Sequence, residues 1–372
     1  MMTTDKIGLY VHIPFCVRKC NYCDFCSYPG RLDDAADAYI DALIKEAELY
    51  RENRYKVDTL YIGGGTPSLL SGEQLSRFIS ALGSVFDFAK ELDFTLEANP
   101  GTVDREKALL YRELGVNRIS LGVQSIHENE LISLGRIHTF EDFLSAYSML
   151  REVGFDNINL DIMYAIPEQT EASLKETLNK LLSLSPEHIS AYSLIVEEGT
   201  PFYRDRDRLS LPNEDTELNM YRLITDTLRA AGFSHYEISN YAKAGYKSKH
   251  NLKYWRCEHY IGLGASAHSY IGKSRYSNPS SLDEYIRGTV RQEKALLSRD
   301  DEMLEYAMLR LRLSEGISLS DYEERFGVPF LPARWDKVKG FIDLGYLSLS
   351  DDMLAITESG FYVSNYIMAE IL

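Results

Sequence analysis

Short runs of apolar and β-branched residues alternate with amphipathic segments along the first half of the chain. In the amphipathic segments, apolar residues recur at the spacing of one helix face, as at Ile40, Leu43 and Ala47. Such alternation predicts right-handed βαβ units around a parallel sheet. Six repeats favour a partial (β/α)6 barrel over a closed eight-stranded one, with an open doubly wound sheet as the alternative. The predicted strands are Ile7–Ile13, Val57–Ile62, Phe94–Glu97, Arg118–Leu121, Ile158–Met163 and Ile189–Leu194.

Local signals indicate where several helices begin and end. Ser71, followed three residues later by Gln74, is typical of the capping box that opens a helix. A glycine after a helical pattern closes the helix, because it takes the left-handed conformation without strain. Helix ends are therefore expected at Gly115, Gly154 and Gly232.

The pattern changes beyond about Ser298. Three helical segments are followed by an alternating stretch around Asp351 that is typical of a hairpin, and then by a last helix. This order predicts an α+β domain of the winged-helix kind. The three helices and the hairpin are Met303–Leu313, Leu319–Phe326, Ala333–Leu344 and Tyr346–Ile356.

These patterns divide the chain into a barrel at 1–235, an extension at 236–299 and a C-terminal domain at 300–372. From Asp300 onward there are fourteen acidic and six basic residues. A winged-helix domain that binds DNA carries a basic surface, so we expect this one to act in packing or as a lid.

The composition of the whole chain excludes several classes of protein. Its 372 residues include 56 acidic and 40 basic ones, and the net charge of −16 disfavours binding to nucleic acid. No apolar run approaches the roughly 20 residues of a transmembrane helix. Residues 1–10 lack the basic stretch and apolar core of a signal peptide, so we expect a cytoplasmic protein.

The cysteines indicate a metal site. Four of the five, Cys16, Cys20, Cys23 and Cys26, lie within eleven residues, and only Cys257 is distant. Three thiolates spaced C-x3-C-x2-C on one short loop can hold an iron–sulfur cluster and leave one iron of a four-iron cluster open. A structural zinc site that also uses Cys26 is the alternative, although such sites usually combine two separated ligand pairs. Cys26 is otherwise expected to be a nearby free thiol.

Polar residues and glycines recur where the predicted strands end. The glycine-rich segment Gly63–Pro67 follows the second strand, and its backbone can approach a ligand closely or simply form a tight turn. Glu97 ends the third strand, Gln124 follows the fourth and Asp161 lies in the fifth. The carboxyl ends of barrel strands form the active face. These side chains are therefore expected to share one site with the segment 16–26, called here the cysteine loop.

Longer motifs make the chain resemble a known family. Tyr10–Cys16, followed by Tyr22–Phe25, resembles the cluster loop of the radical S-adenosylmethionine superfamily. Within it, the chain is similar to the oxygen-independent coproporphyrinogen III oxidase group over nearly its whole length, including Gly63–Pro67, Leu121–Ser125 and Leu134–Arg136. The likeness is greatest to the branch described as haem chaperones.

The resemblance implies a radical S-adenosylmethionine barrel and a role for each matching residue. Cys16, Cys20 and Cys23 would bind a [4Fe–4S] cluster, and Gly64, Gly65 and Thr66 would line the methionine end of S-adenosylmethionine. In the oxidases two S-adenosylmethionine molecules share one site, where an electron from the cluster cleaves the sulfonium and releases a 5′-deoxyadenosyl radical. The further positions that match contacts to S-adenosylmethionine are Tyr10, Tyr22, Glu97, Gln124, Arg136 and Asp161.

Three features separate the chaperone branch from the oxidases. Fifteen residues precede Cys16, whereas the oxidases carry a longer N-terminal arm, and Cys23 is followed by a C-x2-C step instead of C-x-C. The segment His250–Trp255 matches the HNxxYW motif of the chaperone branch. An imidazole at His250 can ligate haem iron while Tyr254 and Trp255 cover the porphyrin. His268 is a second candidate ligand.

The sequence therefore predicts a haem chaperone of radical S-adenosylmethionine architecture that delivers haem to acceptor proteins, with membrane respiratory enzymes among the candidates. The alternative is an enzyme that oxidatively decarboxylates coproporphyrinogen III. Radical chemistry on an unrelated substrate is a third possibility.

Overall fold

The structure, a computed structural model, describes residues 6–291 and 293–372. Its strands are β1 (Ile7–Ile13), β2 (Phe15–Cys16), β3 (Tyr28–Pro29), β4 (Lys56–Gly64), β5 (Asp87–Ala98), β6 (Arg118–Gln124), β7 (Ile158–Tyr164), β8 (His188–Ser193), β9 (Ser234–Glu237), β10 (Asn240–Ala242), β11 (Tyr260–Leu263), β12 (His268–Ile271), β13 (Ser274–Ser277), β14 (Glu293–Leu296), β15 (Ile317–Ser318), β16 (Leu347–Ser350) and β17 (Met353–Ile356).

The helices cover the sheet or form the C-terminal domain. They are α1 (Leu32–Glu48), α2 (Gly72–Val85), α3 (Arg105–Glu113), α4 (Glu128–Ser133), α5 (Phe140–Glu152), α6 (Glu171–Leu182), α7 (Pro201–Arg204), α8 (Glu214–Ala230), α9 (Lys249–Trp255), α10 (Leu282–Ile286), α11 (Arg299–Arg310), α12 (Leu319–Phe326), α13 (Trp335–Asp343), α14 (Glu358–Phe361) and α15 (Ser364–Ile371). Short 3-10 turns lie at Arg51–Asn53, Pro67–Leu69 and Arg206–Arg208.

One large sheet organises the chain, in the order β14-β13-β12-β11-β1-β4-β5-β6-β7-β8-β10-β9. The strands from β11 to β8 are parallel, and the strands outside them are antiparallel. The six predicted strands are confirmed, and the sheet has two free ends, as a partial barrel requires. The sequence analysis missed β11, a seventh parallel strand beside β1.

Strand β1 illustrates how the sequence divides the two faces of the sheet. Successive side chains of a strand point to opposite faces. Leu9, Val11 and Ile13 are fully buried in the apolar core that also contains helix α1. Tyr10 and His12, at the intervening positions, line a cavity on the other face. Polar groups for chemistry are therefore presented on the inner face of the barrel.

The local signals for helix ends are confirmed. Ser71 accepts a hydrogen bond from the Gln74 backbone at 3.1 Å, and the Gln74 side chain accepts one from the Ser71 backbone at 2.9 Å. The three glycines that follow α3, α5 and α8 have φ angles of 90°, 94° and 84°. They are Gly115, Gly154 and Gly232.

Glu46 ties helix α1 to the segment that follows β11. Its buried carboxylate accepts hydrogen bonds from the Gly264 backbone at 2.9 Å, from Asn278 Nδ2 at 2.7 Å and from the Tyr285 hydroxyl at 2.5 Å. Burial raises the pKa of Glu46, and these three hydrogen bonds oppose that rise. The network fixes the chain on one side of β1, next to the cysteine loop.

The C-terminal domain contains α11 to α15 and a three-stranded sheet in the order β15-β17-β16. The three predicted helices and the hairpin are present, with short β15 completing the winged-helix-like sheet. The predicted boundary after residue 235 falls within β9, and the segment 236–299 continues the main sheet at both of its ends. No helix in the described part of the chain is both long enough and apolar enough to span a membrane.

Candidate functional site

A cavity of about 430 Å³ opens where strands β4 to β8 end. It brings together most of the residues that the sequence analysis selected at separate places in the chain. Tyr10 and His250 do not line it. The selected residues that line this cavity, called here the cluster cavity, are Cys16, Cys20, Tyr22, Cys23, Gly64, Gly65, Thr66, Glu97, Gln124, Arg136 and Asp161.

The cysteine loop is held at both ends and in the middle. The short strands β2 and β3 pair in parallel, and the Tyr28 backbone donates to Pro14 O at 2.7 Å. In the middle, the Asn21 backbone donates to Leu134 O at 2.9 Å, and Asn21 Nδ2 donates to Ser133 O at 2.8 Å. The sequence analysis missed Asn21, because its partners lie more than a hundred residues away.

The glycine segment packs directly against the cysteine loop. A Cβ atom at Gly65 would lie 2.7 Å from Phe15 O and 3.0 Å from Cys16 Sγ. A Cβ atom at Gly64 would lie 2.6 Å from the His12 ring, and Gly64 also has a φ of +113°. Both positions therefore require glycine, and the tight-turn alternative is not sufficient to explain the segment.

The thiols face polar hydrogen-bond donors in a partly desolvated setting. Burial raises the pKa of Cys16 and raises that of Cys23 to about 11. The Thr66 hydroxyl donates to Cys16 Sγ at 3.6 Å, and Arg136 Nη1 donates to Cys20 Sγ at 3.6 Å. Burial therefore disfavours an uncompensated thiolate at Cys16 and Cys23, and a bound metal would supply the compensating charge.

Asn99 links Thr66 and Arg136, the two residues that donate hydrogen bonds to the cysteine thiols. Its Nδ2 donates to Thr66 Oγ1 at 2.9 Å, while its Oδ1 accepts from Arg136 Nη2 at 2.6 Å. A chain of hydrogen bonds thus runs from Cys16 through Thr66 and Asn99 to Arg136 and Cys20. The sequence analysis missed Asn99, although a polar residue just beyond the strand that carries Glu97 was an available signal.

Burial alters the titration of Glu97, a carboxyl group of the cluster cavity. Burial is the largest cause that raises its pKa, to about 7, and the nearby Asp161 adds to the effect. The Tyr61 hydroxyl donates to it at 2.7 Å and the Gly64 backbone at 3.0 Å, which opposes the rise. Near neutral pH a cationic ligand beside Glu97 would therefore shift this carboxyl group toward its ionised form.

Gln124 and Asp161 lie on neighbouring strands at an irregularity of the sheet. The register between β6 and β7 shifts at Gly122, and Gln124 has a φ of +62°, which a non-glycine residue rarely adopts. Asp161 accepts hydrogen bonds from Ser120 Oγ at 3.0 Å and Asn159 Nδ2 at 2.8 Å. Burial nevertheless raises the pKa of Asp161.

A second cavity, of about 690 Å³, adjoins the first. The two share Asp24, Phe25, Gly64 and Glu97 as lining residues, and Tyr10 lines only the second. The predicted contacts to S-adenosylmethionine are therefore divided between two neighbouring spaces. The other residues that line the second cavity, called here the aromatic cavity, are His12, Cys26, Tyr254, Trp255, Cys257, Tyr260, Ser266, His268, Tyr270, Arg275, Glu305, Met308 and Leu309.

The HNxxYW motif forms helix α9, and its members have different surroundings. Tyr254 and Trp255 line the aromatic cavity, whereas His250 lines neither cavity and is 1% exposed. His250 Nδ1 is 2.8 Å from Thr59 Oγ1, and Nε2 is 2.7 Å from the Tyr254 hydroxyl. Burial lowers the pKa of His250 to about 3, so the ring is neutral. Its predicted role as a haem ligand stays a prediction, and it requires one ring nitrogen to release its present partner, Thr59 or Tyr254.

Comparisons with known proteins agree with this geometry. The sequence profile described as Radical SAM superfamily matches residues 10–181, and that described as HemN C-terminal domain matches residues 297–363. A Bacillus subtilis (strain 168) protein named Heme chaperone HemW is 36% identical over 98% of this chain and 98% of its own length. The chain belongs to the HemW family of radical S-adenosylmethionine proteins.

Other HemW proteins support the same assignment, and one solved structure shows the same fold. HemW of Lactococcus lactis (strain IL1403) is 36% identical over 98% of this chain and 96% of its own, and HemW of Escherichia coli (strain K12) is 34% identical over 97% and 96%. The structure of coproporphyrinogen III oxidase (HemN) from Escherichia coli has a TM-score of 0.86 and 24% identity, covering 98% of this chain and 90% of its own. This likeness confirms the fold.

Membership of the radical S-adenosylmethionine superfamily implies a [4Fe–4S] cluster and S-adenosylmethionine, and the donor set of the cluster cavity fits them. Within residues 6–291 and 293–372, no three histidine, cysteine or carboxylate side chains converge closely enough to hold one metal ion. Thiolates that bind different irons of a cluster stand further apart than ligands of a single ion. The three cysteines line one cavity beside hydrogen-bond donors, as suits cluster ligands, and their assignment to a cluster stays a prediction. Cys26 lines only the aromatic cavity, where its Sγ donates to Ser280 O at 3.3 Å.

Replacing any one of Cys16, Cys20 and Cys23 by alanine should abolish iron–sulfur absorption in anaerobically prepared protein, because two thiolates hold a cluster poorly. Cys26→Ala is the matched control and should retain iron and labile sulfide. Iron analysis and visible absorption measure both outcomes. Stoichiometric zinc in the native protein, or cluster loss in Cys26→Ala equal to that in Cys20→Ala, would contradict the assignment.

Gly65→Ala should lower cluster occupancy and weaken the effect of S-adenosylmethionine on the reduced cluster's paramagnetic resonance spectrum. The added methyl group overlaps Phe15 O and Cys16 Sγ, so the cysteine loop must move. Gly83→Ala is the control, since its Cβ atom meets only Phe88 at 3.9 Å in helix α2. Unchanged spectra in Gly65→Ala would show that the close packing of the two loops is not needed.

Proposed function

We propose that this protein is a haem chaperone, which binds haem and delivers it to acceptor proteins while carrying a [4Fe–4S] cluster and S-adenosylmethionine. Relatives named Heme chaperone HemW, 36% identical over 98% of the chain, support the proposal. The observation that carries it is the aromatic cavity, which adjoins the cluster cavity but contains none of the three cluster cysteines.

The cluster cavity would hold the cluster and S-adenosylmethionine. When bound, the reduced cluster supplies an electron for cleavage of the sulfonium. Thr66 and Arg136 donate to Cys16 and Cys20, and such hydrogen bonds stabilise thiolate charge. Glu97 and Asp161 are carboxyl groups with a raised pKa that become ionised more readily beside a cationic ligand.

The aromatic cavity would hold the porphyrin. Its volume of about 690 Å³ lies within the roughly 300–1,000 Å³ typical of ligand and cofactor sites. Phe25, Trp255, Tyr260 and Tyr270 supply rings that can cover a flat apolar ligand. Tyr254 and Trp255 give the HNxxYW motif a direct part in this wall, whatever the role of its histidine.

The proposal extends to the setting in which haem is transferred. Free thiols that must capture iron require a reducing compartment, which favours the cytoplasm. Membrane respiratory enzymes are the acceptor class to test first. Oxidative decarboxylation of coproporphyrinogen III is the alternative function, and the HemN-like fold alone does not distinguish it.

Haem titration of a variant that fills the aromatic cavity tests the proposal. Ser266→Trp should weaken haem binding by about tenfold or more, a free-energy loss of roughly 1.4 kcal/mol. Its iron and labile sulfide should stay at the native level, because Ser266 lines only the aromatic cavity. Ile132→Trp is the control, since Ile132 is 66% exposed and lines neither cavity.

The same preparation distinguishes the two functions. The native protein should transfer haem to an apoprotein acceptor and should form no vinyl product from coproporphyrinogen III under anaerobic reducing conditions. Two results together would reject the chaperone function in favour of the oxidase: haem binding no tighter than that of an unrelated acidic protein, and turnover of coproporphyrinogen III.

A further inference from the structure

The availability of a histidine for iron depends on whether a ring nitrogen is free. The sequence contains eight histidines. In three histidines, both ring nitrogens lie within hydrogen-bonding distance of a partner: His12, His188 and His250. In four others, one ring nitrogen has such a partner: His127, His138, His235 and His259. In the described part of the chain, neither ring nitrogen of His268 has a hydrogen-bond partner.

His268 is also the exposed histidine that lines the aromatic cavity. It begins strand β12, and Tyr270, two residues further along, lines the same cavity because alternate residues share a face. The paired strand β13 places Arg275 opposite Tyr270, with the guanidinium 4.5 Å from the ring centroid. The β12–β13 hairpin therefore forms one wall of the cavity.

Three distant parts of the chain contribute to the other walls. Helix α9 contributes Tyr254 and Trp255, helix α11 contributes Met308, and the cysteine loop contributes Phe25, which is 60% exposed. The indole Nε1 of Trp255 is buried without a hydrogen-bond partner among the described residues. An imidazole on one wall thus faces a space bounded by aromatic and thioether side chains.

We propose that His268 is the axial ligand of haem iron, with the porphyrin lying in the aromatic cavity between the β12–β13 hairpin and helices α9 and α11. The proposal rests on the proposed haem chaperone function and names the residue that binds its cargo. In it, His250 is a positioning residue: through its contact with the Tyr254 hydroxyl it orients one wall of the cavity.

The surroundings of His268 suit a ligand that must release its cargo. Metal-binding histidines usually donate their other ring nitrogen to a partner, and loss of that partner costs roughly 10–100-fold in metal affinity. His268 has no such partner among the described residues. Arg275, the only lysine or arginine among the described residues that line the cavity, is paired with Glu305 at 2.6 Å. Binding would therefore depend on apolar contact and iron ligation more than on charge pairing with propionates.

The test titrates haem into cluster-free full-length protein and follows the Soret band and the paramagnetic resonance of ferric haem. His268→Ala should shift the Soret band and weaken haem binding by about tenfold or more. Added imidazole should restore the native spectrum in His268→Ala. His127→Ala is the control, because His127 lines neither cavity and its Nε2 lies 3.0 Å from Ser173 O.

His250→Gln is the decisive comparison. Glutamine can still hydrogen-bond with Thr59 and Tyr254, and circular dichroism would confirm that the variant folds. We expect it to keep an imidazole-ligated spectrum. Native spectra in His268→Ala, with loss of the nitrogen ligand in His250→Gln, would overturn the proposal and leave the chaperone function intact. Absence of specific haem binding by the native protein would instead reject the proposed function itself.

Discussion

Close packing of glycines on both sides of strand β1 is the constraint on which both cavities depend. Gly64 lies against the His12 ring and Gly65 against the backbone and thiol of the cysteine loop. On the other side, a Cβ atom at Gly264 would lie 2.6 Å from His12 O. No side chain fits at these three positions, so the chain between His12 and Cys16 is fixed relative to β4 and β11. The three cysteines Cys16, Cys20 and Cys23 are thereby placed at the strand ends, where they line the cluster cavity.

The same packing separates the cluster cavity from the aromatic cavity while keeping the two adjacent. Gly64 and Glu97 line both cavities, with the cluster cysteines on one side and the aromatic walls on the other. Burial disfavours charge on two groups near this wall: the pKa of Glu97 is raised to about 7, and that of His250 is lowered to about 3. A cationic or metallic ligand bound here would favour the ionised form of Glu97.

The sequence predicted what depends on local patterns, and it missed what depends on packing. Buried strands and the Ser71 capping box are encoded in short segments, and both are confirmed. Strand β11 is only four residues long, so it carries little periodicity and was missed. The partners of His250 could not be inferred either, because Thr59 lies 191 residues away and approaches only after α9 packs into the barrel. The division of the predicted S-adenosylmethionine contacts between two cavities could not be inferred for the same reason, because it also depends on packing between distant parts of the chain.

In the proposed function, the haem site and the cluster site are neighbours with a shared wall. Paramagnetic relaxation of the reduced cluster measures this directly, in protein loaded with haem or with diamagnetic zinc protoporphyrin. High-spin ferrous haem in the aromatic cavity should speed the relaxation of the cluster signal, whereas zinc protoporphyrin should leave it unchanged. Equal relaxation with the two porphyrins, both bound stoichiometrically, would place haem far from the cluster and contradict the account.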